Sequence, residues 1–154
     1  MASITVNRVI NAPIETVFER ASDVYKWTDQ ISAITNVEVL TDGPVGVGTS
    51  FRETRVLFKR EATEEMTFSE FDPPTGFTLI ASSCGSEYVT KHTFEPVEGG
   101  TRLTINFGGT PKTLVAKLVT PMMAIMKKTL IKCLESDLND LAKVCEAENP
   151  GDLA

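Results

Sequence analysis

Near the start of the chain Ile4 and Val6 alternate with Ser3, Thr5 and Asn7, the period of two that a strand with one buried face imposes. Asn11-Ala12-Pro13 ends that run. Pro13 suits the first helical position, where no N–H is needed, and Glu15 complements the positive helix end. Ile14, Val17, Phe18 and Ala21 follow at helical spacing, and Val24, Tyr25, Trp27 and Ile31 predict a second short helix with one aromatic edge turned inward. From Thr35 to Gly109 the period returns to two. Strands are expected at Thr35–Thr41, Thr49–Phe58, Glu61–Phe71, Phe77–Ser83, Glu87–Pro96 and Thr101–Phe107. The segments Asp42–Gly48, Asp72–Gly76, Cys84–Ser86 and Glu98–Gly100 supply the turns. Thr110-Pro111 reads as a cap with a first-turn proline, opening a helix to about Glu148 that Asn149-Pro150-Gly151 stops. Leu114, Leu118, Met122, Ile125, Met126, Leu130, Cys133, Leu134, Leu138, Leu141 and Val144 form its apolar stripe, and Pro121 should kink or split it. The piece after Pro121, at the helical rise of 1.5 Å per residue, would be roughly 40 Å long and cross a whole small domain.

A strand, two short helices, six strands and a long helix describe an α+β fold, an antiparallel sheet wrapped around one C-terminal helix. The chain of 154 residues is 42% hydrophobic and 23% charged, the profile of one domain, expected over residues 1–148 with a tail at 149–154. A net charge of -6 argues against nucleic acid and anionic membrane, both of which need a basic footprint. There is no apolar run long enough to span a bilayer. Cys84, Cys133 and Cys145 match no zinc or redox spacing, and the N-terminus lacks the layout of a secretion signal, so a reducing, cytoplasmic setting is expected.

Candidate chemistry is sparse. Alternation on the strand Glu87–Pro96 puts Tyr88, Thr90, His92 and Phe94 on one face. If Phe94 faces the core, hydroxyl and imidazole groups face it too, which suits the wall of an apolar pocket with a few placed polar groups. The common alternative keeps His92 at the surface or hydrogen-bonded internally. On Thr49–Phe58 the faces are Phe51, Glu53, Arg55, Leu57 and Arg52, Thr54, Val56, Phe58. The register is open, and solvated ion pairs on the outer sheet face are the expectation over an arginine inside paired to Glu53, Glu64, Glu65 or a ligand carboxylate. Gly46-Val47-Gly48 is not a phosphate loop, because Phe51 stands where the third glycine belongs and no helix follows. His92 is the single histidine, no nucleophile signature is present, and neither a metal site nor a cofactor is expected. A straight helix laid over a strongly twisted sheet touches its rims more than its middle. Met122, Met123 and Met126 either fill that space as core or line it adaptably.

Asn11–Phe18, Trp27 before Ile31, Asp42–Gly48, Glu70–Pro74, Gly99–Leu103 and Leu134–Leu141 together resemble the SRPBCC superfamily. The superfamily includes START domains and the major birch pollen allergen, and the similarity is greatest to its polyketide cyclase/dehydrase and lipid-transport branch. That resemblance covers essentially the whole chain. It implies the helix-grip form of the α+β fold, with seven antiparallel strands around the C-terminal helix, and a cavity between them for a small hydrophobic or amphipathic ligand. It also implies that the loop Pro44–Gly48 lies at the cavity entrance and gates it. The residues expected to line the cavity are Trp27, Phe51, Tyr88, Thr90, His92, Leu103, Ile105, Phe107, Met122 and Met126. Binding or carriage of a lipid-like or polyketide-like molecule is the leading expectation, by a monomer or homodimer. A cyclase or dehydratase acting through Tyr88 and His92, or an interaction protein with a vestigial cavity, are the alternatives.

Overall fold

Alternation along the strands buries one sheet face and leaves the other to solvent, and the computed structural model shows where each falls. It describes residues 2–57, 59–83, 85–114, 117 and 127–148. Strand β1 (Ala2–Ile10) leads into helix α1 (Ile14–Ser22), a single 3₁₀ turn (Val24–Lys26) and the one-turn helix α2 (Trp27–Gln30). Strands β2 (Ile34–Val39), β3 (Ser50–Leu57), β4 (Arg60–Asp72), β5 (Gly76–Ser83), β6 (Ser86–Val97) and β7 (Gly100–Pro111) follow, then helix α3 (Lys127–Ala147). The strands form one antiparallel sheet in the order β1-β7-β6-β5-β4-β3-β2. This is the seven-stranded helix-grip fold expected from the sequence. No described helix is long and apolar enough to cross a membrane.

Phenylalanines fill one end of the concave face. The Phe18 ring on α1 meets Phe71, Phe77 and Phe94 edge-on, with centroids 5.3, 5.9 and 5.1 Å away. Trp27 stands edge-on to Phe51 at 5.2 Å, and Phe51 packs on Phe68 at 5.8 Å. Edge-to-face geometry suits the ring quadrupoles, so this cluster adds specificity to its apolar burial. The two short helices are tied to it through buried polar groups. Trp27 Nε1 donates to the Ala21 carbonyl at 3.1 Å, Ser22 Oγ to the Phe18 carbonyl at 2.8 Å, and Thr101 Oγ1 to the Ala12 carbonyl at 2.8 Å.

Among the described residues, helix α3 rests mainly on β1, α1 and α2, at the rim of the sheet. Asp140 accepts from the Ser32 backbone and hydroxyl at 2.9 and 2.7 Å. Glu146 accepts from the Asn11 backbone at 3.0 Å.

One expectation changes. Thr110 and Pro111 do not cap a helix but continue β7, paired with Glu87 and Ser86 of β6. The two glycines before them do not end the strand, because Gly109 leaves room for Tyr88, whose ring carbons lie 3.0 Å from where a Cβ would stand. The kink or split expected at Pro121 falls outside the described residues. Gly100 is required for a different reason. Its φ is +138°, and a Cβ there would sit 2.0 Å from the Ile10 carbonyl oxygen, so only glycine lets β7 begin against the end of β1.

Candidate functional site

Between the middle strands and α3 lies a cavity of about 370 Å³. Its sheet wall comes from Leu57, Ala62, Met66 and Leu79 on β3 to β5, Tyr88, Thr90 and His92 on β6, and Leu103, Ile105 and Phe107 on β7. Its roof is the α3 stripe Leu130, Cys133, Leu134, Leu138 and Leu141, and Trp27, Gln30, Ile31 and Ile34 close the end nearest the phenylalanine cluster. Leu57, Met66, Phe107, Leu130 and Leu134 are only half-buried, as expected of side chains that face open space instead of packed neighbours.

Seven of the ten residues singled out in the sequence, Trp27, Tyr88, Thr90, His92, Leu103, Ile105 and Phe107, meet at this cavity. Phe51 does not line it. It is fully buried behind Trp27, where it supports the closed end. Met122 and Met126, with Met123, lie outside the described residues. The loop Pro44–Gly48 does not line the cavity either. Pro44 and Val45 border a separate open groove with Phe18, Tyr25, Phe71 and Pro73.

The two polar faces of the β6 alternative are resolved by the register. Glu87, Val89, Lys91 and Thr93 face solvent, so Tyr88, Thr90 and His92 point inward. The Tyr88 ring stacks on Phe107 at 5.6 Å and the His92 ring on Phe77 at 4.3 Å. Burial lowers the His92 pKa to about 4 from its ordinary 6.5, because an imidazolium there would lose its hydration. The imidazole is therefore neutral at physiological pH. Its Nδ1, shut off from solvent, has no partner in hydrogen-bond geometry.

The arginine expectation divides. Arg52 faces outward and pairs with Glu38 at 3.0 Å and Glu65 at 3.4 Å. Arg55 does the reverse of what was expected. With Phe51, Glu53 and Leu57 it is on the inner face, and it bonds Glu53 of its own strand and, at 2.9 Å, Asp137 of α3. Two carboxylates share one guanidinium inside the cavity wall. Burial raises the Asp137 pKa to about 6, outweighing the attraction of Arg55, while both carboxylates hold the Arg55 value above its ordinary one against desolvation. Asp137 Oδ1 and Gln30 Oε1 are buried without a partner. The Gln30 amide is oriented by its other end, since Nε2 donates to the Arg20 carbonyl at 3.0 Å, leaving the oxygen as a cavity acceptor.

Sequence reasoning left this cluster out of the site, yet a signal existed. Asp137 follows Leu134 by three and precedes Leu141 by four, so it occupies the apolar stripe of α3. An aspartate there needs a cation across from it. Cys133 also lines the cavity, with its thiol pKa raised by burial, and burial pushes the Cys145 thiol up to about 12; both thiols stay protonated at neutral pH. Among the described residues, no three His, Cys, Asp or Glu side chains are placed to hold a metal ion.

A family model described as polyketide cyclase / dehydrase and lipid transport matches residues 1–146. No curated protein matches the sequence. The crystal structure of TTHA0849 from Thermus thermophilus is similar with a TM-score of 0.79 at 19% identity, covering 96% of this chain and 99% of that one. Ara h 8.0201 gives 0.74 at 14% identity over 95% and 98% of the two chains. The di-domain ARO/CYC BexL from the BE-7585A biosynthetic pathway gives 0.78 at 14%, with 94% of this chain matching 50% of that one. With its seven-stranded grip on a C-terminal helix and its match over nearly the whole length, the chain belongs to the polyketide cyclase/dehydrase and lipid transport family of the SRPBCC superfamily.

Proposed function

We propose that the protein binds a small hydrophobic or amphipathic molecule between the sheet and α3. The observation that carries this is the cavity itself. Its volume of about 370 Å³ and mostly aliphatic and aromatic wall fit the usual form of a small-molecule site, in which a few polar groups orient an apolar ligand. Leaving such a space open forgoes packing contacts, and a ligand restores them. Family membership supports the same reading.

The test uses Trp27, the single tryptophan, which borders the cavity. Titration with a panel of alkyl and fused-ring aromatic molecules should give saturable changes in its fluorescence. Thr90→Phe, which fills the cavity from β6, should abolish them while preserving cooperative unfolding. A silent panel, or binding that survives the filling, counts against the proposal.

A second reading, acid–base catalysis of the cyclase or dehydratase type, rests on Asp137. A carboxyl group held near 6 in an apolar wall can exchange a proton near neutral pH, where His92, titrating at about 4, is already unprotonated and a weak base. Turnover of a polyketide-like substrate that Asp137→Asn removes, with binding retained, would support it.

A further inference from the structure

Helix α3 is held differently on its two sides. On one side it packs against β1 and α1, and Arg8, the Asn11 backbone and Arg20 donate to Asn139, Glu146 and Glu148 of the helix. On the other side the sheet ends in β3 and β2. There, among the described residues, the helix reaches β3 through the ion pair of Arg55 with Asp137 at 2.9 Å, and Asp140, one turn on, is tied to Ser32 ahead of β2. Arg55 and Asp137 both line the cavity, yet their side chains are 20% and 16% exposed. The pair therefore stands between the cavity and solvent. Lining residues toward the start of α3 and the end of β3, namely Leu130, Cys133, Leu134 and Leu57, are half-buried. Leu138 and Leu141, past the pair, are buried.

We propose that α3 is a lid, hinged on β1 and α1 and latched to β3 by the Arg55–Asp137 pair, and that discharge of Asp137 in mild acid releases the latch and the bound molecule. This rests on the ligand-binding reading above and adds its regulation. An ionised Asp137 attracts Arg55 strongly where water is scarce, whereas a protonated one keeps only a hydrogen bond. Glu53 goes on holding the guanidinium to its own strand, so Arg55 then belongs to β3 alone. Asp137 titrates near 6, which puts the change in the mildly acidic range. The charged and titratable groups around it are Glu53 and Arg55 on β3, Glu64 on β4, and Cys133 and Asp140 on α3. His92 on β6 stays neutral until about 4.

The experiment measures how fast N-phenyl-1-naphthylamine, an apolar fluorophore uncharged over this range, leaves the full chain on dilution at about pH 7.5 and about pH 5. The wild-type rate should rise at least fivefold at the lower pH. Asp137→Asn has the shape of the carboxyl group without its charge. At the higher pH it should already match the fast wild-type rate within twofold, and it should change less than twofold with pH. Arg20→Gln, which cuts the tie to Glu148 on the hinge side, should leave the wild-type rates within twofold. A wild-type rate that does not change with pH overturns this inference alone. So does an Asp137→Asn variant that accelerates in acid as the wild type does, or an Arg20→Gln variant as fast as Asp137→Asn at the higher pH. Absence of saturable fluorophore binding at both pH values overturns it together with the ligand-binding reading.

Discussion

Replacing His92 by glutamine should make the protein more acid-tolerant, in an amount that follows from its position. In an open chain the imidazole takes up a proton near 6.5, but in the fold, stacked on Phe77 at the cavity wall, it does so only near 4. The folded value is the lower one. The stability it supports is therefore complete above 6.5 and is lost as pH falls through 6.5 toward 4, because the unfolded chain binds a proton the folded chain refuses. The full difference corresponds to about 3 kcal/mol, and about 2 to 3 kcal/mol of it is lost by about pH 4.5. Asp137 acts in the opposite sense. Its folded value, near 6 against an ordinary 3.8, is raised, so the folded chain binds its proton first and gains about 2 kcal/mol over the same interval. Glu53 and Arg55 on β3, and Asp140 on α3, are the charged groups acting on it. In the wild-type chain the two groups largely offset each other. In His92→Gln only the Asp137 contribution remains, so stability relative to wild type should rise by about 2 to 3 kcal/mol between about pH 7.5 and 4.5. Urea unfolding of both proteins at the two pH values measures it directly, and a difference that stays within about 0.5 kcal/mol across the range would refute the burial argument.

Other substitutions separate inner from outer groups. Arg55→Ala leaves Glu53 and Asp137 buried against each other and should cost about 3 kcal/mol in chemical denaturation, whereas Arg52→Ala, on the outer face, should cost less than about 1 kcal/mol. Equal losses from the two would contradict the inward placement of Arg55. Phe68→Ala removes a fully buried ring that packs on Phe51, Phe71 and Phe77 and should lower stability by about 3 to 5 kcal/mol in the same assay. Gly100→Ala drives a Cβ into the Ile10 carbonyl and should lower the thermal midpoint by more than the few degrees that about 1 kcal/mol produces; an unchanged midpoint would mean that the β1–β7 junction relaxes freely.

The fold was legible because its signals are local. Period two from Ser3 to Arg8 and from Thr35 onward, glycine and proline turns, and the leucine stripe of α3 each follow from a few neighbouring residues. The β6 contribution to the site was legible for the same reason, since fixing Phe94 inward fixes Tyr88, Thr90 and His92 with it. Arg55 was not. A strand carrying Phe51, Glu53, Arg55 and Leu57 on one face looks half solvated, and what makes that face an inner one is Asp137, 82 positions later on a different element. The end of β7 was misread because Thr110-Pro111 satisfies the rules for a helix start, and only pairing to Glu87 and Ser86 of β6 makes it strand. Phe51 was correctly an inward residue, but whether an inward ring borders a cavity or lies behind it depends on Trp27 in front of it.

If the space under α3 is a binding site, protein taken from its own source should hold a ligand there. Native mass spectrometry of protein purified from its own source, beside the Thr90→Phe variant, tests it most directly. The wild-type chain should carry a small noncovalent mass that is released on unfolding, and the filled variant should carry none. A bare wild-type mass, together with no stabilisation by any amphiphile added in excess, would contradict it.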